Sequence, residues 1–177
     1  MIFVTVGTQL AFDRMIQSVD EWAGSRGRGD IFAQVGPAEY KPRHIESRAF
    51  ISPAECREKM RAATAIVAHA GMGTILSALE MGKPILIVPR RASLGEQRND
   101  HQLATARRFA ELGHVTVAFD EHELAARLDE LDGIAAGERI SPHASPALLA
   151  ALRGFINGEA VAAARPPTGA FGPTAAE

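Results

Sequence analysis

The sequence predicts an α/β domain: a parallel, Rossmann-like sheet with helices on both faces. Three observations carry that expectation. Short runs rich in Val and Ile alternate along the chain with helical periods. The runs are apolar on both faces, as strands buried under two helical layers must be. The helical periods carry their apolar residues on one side only. Repeated strand–helix alternation then implies right-handed crossovers between parallel strands.

The strand-like runs are Ile2–Val6, Ile31–Val35, Ala49–Ile51, Ala65–Ala68, Ile85–Val88 and Val115–Val117. A first helix is marked by Phe12, Met15, Ile16, Val19, Trp22 and Ala23, which share one face. Ser52, Pro53 and Glu55 form a capping-box start, so a second helix should run to about Ala62. A third should begin near Thr74, after a glycine-bearing turn. Asp120 is placed to cap a helix carrying Leu124, Leu128 and Leu131. A last helix, from Ala147 to Ile156, should follow Ser145-Pro146. Residues 1–157 therefore read as one Rossmann-like domain, and residues 158–177, rich in Ala, Pro and Gly, as a disordered tail.

Composition narrows the function classes. The chain has 177 residues, 46% hydrophobic and 23% charged, the balance of a globular domain. Nineteen basic against twenty-one acidic residues give a net charge of −2, which argues against a nucleic-acid binder working by bulk charge. No apolar run approaches the roughly 20 residues of a membrane span. The chain starts on a strand-like run with no charged leader, and Cys56 is its only cysteine, so a cytoplasmic location is expected and an internal disulfide framework is excluded. Charge is uneven: six basic and two acidic residues lie between Met81 and Ala110, whereas eight acidic and one basic lie between Glu111 and Glu138. A local positive field in a near-neutral chain suits a small anionic ligand.

Three segments carry chemistry. In Ile66–Arg90 a strand ends near His69, and Gly71, Met72 and Gly73 lead into the helix at Thr74. Unpaired N–H groups at a helix start, with the helix dipole behind them, bind phosphate where glycines allow close approach. The same glycines also suit plain tight packing. Two standard nucleotide motifs fail: Leu76 stands where the dinucleotide fingerprint needs its third glycine, and Pro84 follows Lys83 where a Walker loop needs Ser or Thr. The second segment, Arg90–Gln102, follows a strand end and gathers Arg98, Asn99, Asp100 and Gln102. Neighbouring carboxylate and amide groups read sugar hydroxyls, which both donate and accept. Asn99 or Asp100 equally suits a helix cap. The third is Thr5-Val6-Gly7-Thr8, where Gly7 and Thr8 should share a sheet edge with His69–Thr74.

Together and in this order, IFVTVGTQLAFDRMI, HAGMGTILSALEMGKPILIVPR and GEQRNDHQLA resemble the carboxyl-terminal, donor-binding half of GT-B glycosyltransferases. The resemblance covers roughly Met1 to Asp132 and is to the MurG-like group whose two halves are separate polypeptides. That group includes PssE-type exopolysaccharide subunits and the soluble catalytic subunit that adds the second GlcNAc to dolichol-linked sugar. The RRASLGEQRND stretch inclines toward the exopolysaccharide branch.

The resemblance implies roles by position. Gly7 and Thr8 approach the diphosphate of a UDP-sugar. His69, Gly71, Met72, Gly73 and Thr74 hold it, with His69 and Thr74 as the catalytic pair that stabilises the leaving charge, helped by Arg90 or Arg98. The family's ribose-binding glutamate is Ser77 here, with Glu80 one helical turn later; both are candidates. Asp100 and Gln102 match the sugar-reading element, although the Asn that often follows is Thr105. No cofactor and no metal are expected, as no Asp-x-Asp or similar ligand pair is found. A GT-B enzyme has two such halves, so a membrane-associated partner is expected to supply the acceptor side, recruit the chain to the inner face of the membrane and bind a lipid-linked saccharide. Arg90, Arg91 and Arg98 suggest a hexuronate donor, with glucuronic acid the first choice. Other classes remain: a UDP-sugar-binding regulatory subunit without transfer activity, a UDP-GlcNAc transferase of lipid-linked oligosaccharide synthesis, a nucleotide-sugar epimerase, which length disfavours, and an NAD domain, which the missing glycine disfavours.

Overall fold

The computed structural model describes residues 1–158. Met1–Ile140 forms one compact unit around a six-stranded sheet. The strands are β1 (Ile2–Thr5), β2 (Ile31–Gln34), β3 (Glu46–Arg48), β4 (Ala65–His69), β5 (Ile85–Val88) and β6 (Thr116–Val117). Their order is β3-β2-β1-β4-β5-β6 and every pairing is parallel. The chain thus builds outward from β1 in one direction, then returns to β1's other side with β4. That reversal puts the ends of β1 and β4 side by side, where open α/β sheets leave a crevice.

Period-two alternation divides the strands between two cores. Ile2, Val4, Val67, Leu86 and Val88 face α1 (Asp13–Arg26) and α5 (Glu121–Asp129). Phe3, Phe32, Ile66, Ile85 and Ile87 face α2 (Pro53–Ala62), α3 (Met72–Glu80) and α4 (His101–Glu111). The six marker residues of the first helix are all buried. Ser52 Oγ accepts from Glu55 N at 3.1 Å and Asp120 Oδ1 from Glu123 N at 2.8 Å, so both expected caps form. Leu131 falls beyond α5, in a short 3-10 turn, yet is buried beside Leu124 and Leu128.

Two elements differ from the sequence expectation. β3 is Glu46–Arg48, not Ala49–Ile51. As an edge strand with exposed or half-exposed side chains it needs no apolar run, while Phe50 is 54% exposed. Helix α3 starts at Met72 rather than near Thr74, because Gly71 stays extended and ends the turn.

A second unit begins at Ser141 and is described as far as Gly158. It contains α6 (Pro146–Ile156), whose start is capped by Ser145 Oγ accepting from Leu148 N at 3.2 Å. The segment expected to be disordered lies, after Gly158, outside the described residues.

The parallel strands β2 and β3 have no helix between them; residues 35–45 make the return as a loop. Asp20 of α1 holds that loop. It is buried, and its carboxylate accepts from Tyr40 OH at 2.8 Å, Arg43 N at 2.9 Å and His44 N at 2.8 Å. Burial pushes the carboxyl up, but these hydrogen bonds outweigh it and keep it below its ordinary 3.8. Asp20→Ala strands three donors and should cost about 3 kcal/mol in urea unfolding. A loss below about 0.5 kcal/mol would contradict this role.

Candidate functional site

A cavity of about 410 Å³ opens at the carboxyl edge of the sheet, over the β1/β4 crevice. Its floor is a polar pair at the last position of two neighbouring strands. Thr5 and Gln34 are register partners, and Thr5 Oγ1 donates to Gln34 Oε1 at 2.5 Å. Gln34 Nε2 then donates to Gly7 O at 2.9 Å, and Gly7 N donates to Thr5 Oγ1 at 3.2 Å. The pair therefore clamps Gly7 from both sides of its peptide. Gly7 sits at φ +77°, which a side chain would strain.

His69 ends β4 beside it. Its ring fills the directions that side chains at two glycines would take. A β-carbon at Gly7 would lie 2.8 Å from His69 Cε1, and one at Gly71 would lie 2.1 Å from His69 Nε2. These two glycines are thus required by the imidazole itself. At Gly73 the missing β-carbon points into open space, and this glycine leaves room for a ligand. The N–H groups of Met72, Gly73 and Thr74 occupy the first turn of α3, where no intrahelical carbonyl reaches them. The helix dipole adds partial positive charge there. Burial, joined by the positive charge of Arg90, pushes the His69 imidazole down to about 4, and its Nδ1 is buried without a hydrogen-bond partner. His69 is therefore neutral at pH 7.

From β5 the chain supplies Arg90 and, at α4, Gln102. Gln102 is buried, and its Oε1 accepts from Arg90 N at 3.1 Å. That bond leaves the amide N–H groups of Gln102 for the cavity it lines. The cavity also takes Gly7, Thr8, His69, Gly71, Gly73 and Thr74 as the sequence suggested. Several residues are placed otherwise. Arg90 lines the wall, but its Nη2 donates to Val6 O at 2.9 Å and Leu10 O at 2.7 Å, and its Nη1 to Ala11 O. Those donors are committed to backbone, so Arg90 does not present a free fork to a carboxylate or phosphate. Arg91 donates to Phe119 O at 2.7 Å and is also committed. Asp100 stands outside the lining, and its Oδ1 accepts from Ala92 N at 2.9 Å, so it braces the loop instead of pairing with Gln102. Asn99 Oδ1 accepts from His101 N at 3.2 Å just before α4, where Asp100 holds the cap position without a side-chain cap hydrogen bond. Met72, Ser77 and Glu80 lie on α3 outside the cavity lining, Met72 exposed and the other two half-buried. Thr105 Oγ1 turns back to His101 O at 3.0 Å. Arg98 lines an adjoining outer cavity of about 480 Å³, shared with Gln9, Leu10, Gln97 and His101. Its guanidinium makes no hydrogen bond or ion pair among the described residues.

The sequence reading missed Thr5, Gln34, Gln9, Leu10, Cys56, Gln97 and His101 as lining residues. Thr5 and Gln34 carried a signal: each is the one polar residue closing an apolar strand run. Cys56 and His101 carried none, because helix packing alone brings them to the rim. Among the described residues no group of three or more His, Cys, Asp or Glu is placed to hold a metal ion.

The glycine geometry gives opposite expectations for two neighbours. Gly71→Ala should destabilise by more than about 2 kcal/mol, because the buried imidazole of His69 leaves it no room. Gly73→Ala should raise stability by about 0.5–1 kcal/mol, since Ala is the better helix former, while weakening any anion bound at the turn. Equal destabilisation by both would contradict the assignment. Neutral His69 also adds stability that is complete above pH 6.5 and is lost as pH falls through about 4. Its ring should titrate near that lower value by NMR; a midpoint above about 6 would contradict the buried placement.

Comparison with known proteins agrees with this geometry. Residues 1–138 match the model of the glycosyltransferase family 28 C-terminal domain. The human UDP-N-acetylglucosamine transferase subunit ALG13 is 29% identical over 124 residues, covering 64% of this chain and 10% of the relative. The subunit of the same name from Eremothecium gossypii is 42% identical over 67 residues, covering 37% of this chain and 31% of the relative. The chain thus spans about a tenth of the human relative's length and under a third of the fungal one's. Among solved structures, the solution structure of ALG13 superposes with a TM-score of 0.56 at 18% identity, over 80% of this chain and 90% of that one. CalG4, the calicheamicin glycosyltransferase, gives 0.52 at 17% identity, over 74% and 34%. These likenesses show the fold, that of one half of a GT-B glycosyltransferase. With most of its compact unit matched, the chain belongs to the glycosyltransferase family 28 C-terminal domain family.

Proposed function

We propose that this chain is the donor-binding catalytic subunit of a two-component glycosyltransferase that uses a UDP-sugar. The observation that carries the reading is the start of α3: three N–H groups that no intrahelical carbonyl reaches and the open side of Gly73, in a cavity that the Gly7 turn also lines. A diphosphate seated there would receive those N–H groups, the Thr74 hydroxyl and the amide of Gln102. As the bond from the anomeric carbon to the diphosphate breaks, negative charge grows on the leaving oxygen. Donors already aimed at that position stabilise it without rearranging. Neutral His69 shapes the turn from behind and competes for no proton.

The acceptor side is absent from the described residues, which hold one sheet. A second polypeptide, membrane-associated and carrying a lipid-linked saccharide, would complete the cleft and bring this chain to the inner face of the membrane. The relatives' name, transferase subunit, fits such a division. For the donor sugar two readings have support. Arg98 is the one of the three arginines near the loop whose guanidinium is uncommitted, which favours a hexuronate carboxylate and hence UDP-glucuronic acid in exopolysaccharide synthesis. The relatives' name favours UDP-N-acetylglucosamine. A UDP-sugar-binding regulatory subunit would share the pocket and lack turnover.

Calorimetry with UDP, UDP-glucuronate, UDP-glucose and UDP-N-acetylglucosamine separates these. UDP should bind, and Arg98→Ala should reduce affinity for UDP-glucuronate about tenfold while leaving UDP-glucose unchanged. An unchanged preference would remove Arg98 and leave the N-acetylglucosamine reading. Failure of UDP to bind would overturn the donor-site assignment. Transfer to a lipid-linked acceptor should need the partner, and full activity of the chain alone would contradict the two-component reading.

A further inference from the structure

Arg90 is 2% exposed, yet among the described residues no carboxylate pairs with it. Three backbone carbonyls, those of Val6, Leu10 and Ala11, receive its Nη1 and Nη2 hydrogens. Its guanidinium carbon lies over the Phe12 ring, 4.6 Å from the ring centre. Glu96, the carboxylate whose charge reaches Arg90, is already spent elsewhere. Its two oxygens take Arg14 Nε at 2.8 Å and Arg14 Nη2 at 3.0 Å, and it also accepts from Arg91 N at 2.9 Å. Carbonyls satisfy hydrogen bonds but carry no net charge, so a buried cation on the cavity wall is left without its own counter-ion.

We propose that Arg90 is a positioning residue with two effects: it wraps Val6–Ala11 into one wall of the cavity, and its unbalanced charge makes that wall select for a diphosphate, which acts as the missing counter-ion. The proposal rests on the donor-site reading above and deepens it. The geometry supports both effects at once. The carbonyls it holds belong to the segment that contains Gly7 and Thr8, and its backbone N–H fixes the amide of Gln102 on the opposite rim. A single residue therefore connects the two, its guanidinium to the turn after β1 and its backbone N–H to the helix after β5. Lysine would keep the charge but bring one nitrogen to three carbonyls, whereas methionine would keep only the bulk.

The test is calorimetric titration of the full-length chain, wild type, Arg90→Lys and Arg90→Met, with inorganic pyrophosphate and with UDP, beside amide exchange at residues 7–11. Wild type should bind both probes. Exchange at 7–11 should quicken in both variants. Affinity for pyrophosphate should fall about tenfold or more in Arg90→Met and no more than about threefold in Arg90→Lys, which retains the charge. Should Arg90→Met not fold, Arg90→Gln takes its place as the neutral variant. Equal losses of affinity in the lysine and neutral variants would overturn the charge effect, since a merely structural role does not distinguish them. Unchanged exchange at 7–11 in both variants would overturn the wrapping. A wild-type chain that binds pyrophosphate and UDP while the neutral variant binds them as well overturns this proposal alone; a wild-type chain that binds neither overturns the donor-site reading with it.

Discussion

A single imidazole governs the shape of the cleft. His69 occupies the space that β-carbons at Gly7 and Gly71 would need, so the turns after β1 and β4 approach each other more closely than side chains would permit. The ring is held neutral by burial and by Arg90, which means the space between the two turns is filled without adding a competing charge. What remains open is the side of Gly73 and the first turn of α3. The surface proposed to bind the diphosphate is thus a consequence of packing behind it.

Sheet topology supplies the rest. Because the strand order reverses at β1, the polar ends of β1, β2 and β4 converge on one edge. Thr5 and Gln34 meet there as register partners and turn a potential weakness, two polar side chains under a buried edge, into a network that sets the Gly7 peptide. On the far side, Arg14 and Glu96 pair at 2.8 Å and tie α1 to the loop after β5. The pair is half-buried and bidentate, which gives it more directional hold than an exposed ion pair has. The loop carrying Gln97 and Arg98 is therefore anchored at its base while its tip stays exposed.

This division of labour fits a donor half. Of the committed cations, Arg90 lines the cavity while Arg14 and Arg91 tie the loop after β5 to neighbouring segments, and the uncommitted Arg98 stands at the outer cavity, where the sugar of the proposed donor would reach. The family match over residues 1–138 and the GT-B half-domain fold are compatible with a donor site at this edge. In the proposed function the sugar is met by loop side chains, whereas the floor of the cleft is set by strand register.

By itself the sequence determined the alternation of strands and helices, their two-faced burial, two of the helix caps and the order of the motifs. These are local properties: period, capping chemistry and turn residues act within a few positions of one another. It also placed Gly7, His69, Gly73, Thr74 and Gln102 at one edge, because parallel strands bring their carboxyl ends together. β3 escaped, since a polar edge strand shows no apolar run, and so did the hold of Asp20 on the loop before it. Only the tertiary structure decided which arginine is free. Arg90, Arg91 and Arg98 look alike in a string of letters; their difference lies in carbonyls contributed from Val6, Leu10, Ala11 and Phe119, residues distant in the chain. The same holds for the glycines, where one faces a ring and another faces open space, and for Cys56 and His101 at the rim. Such distinctions depend on what lies opposite a side chain across the sheet, and that is set by packing between elements and not by any neighbour in sequence.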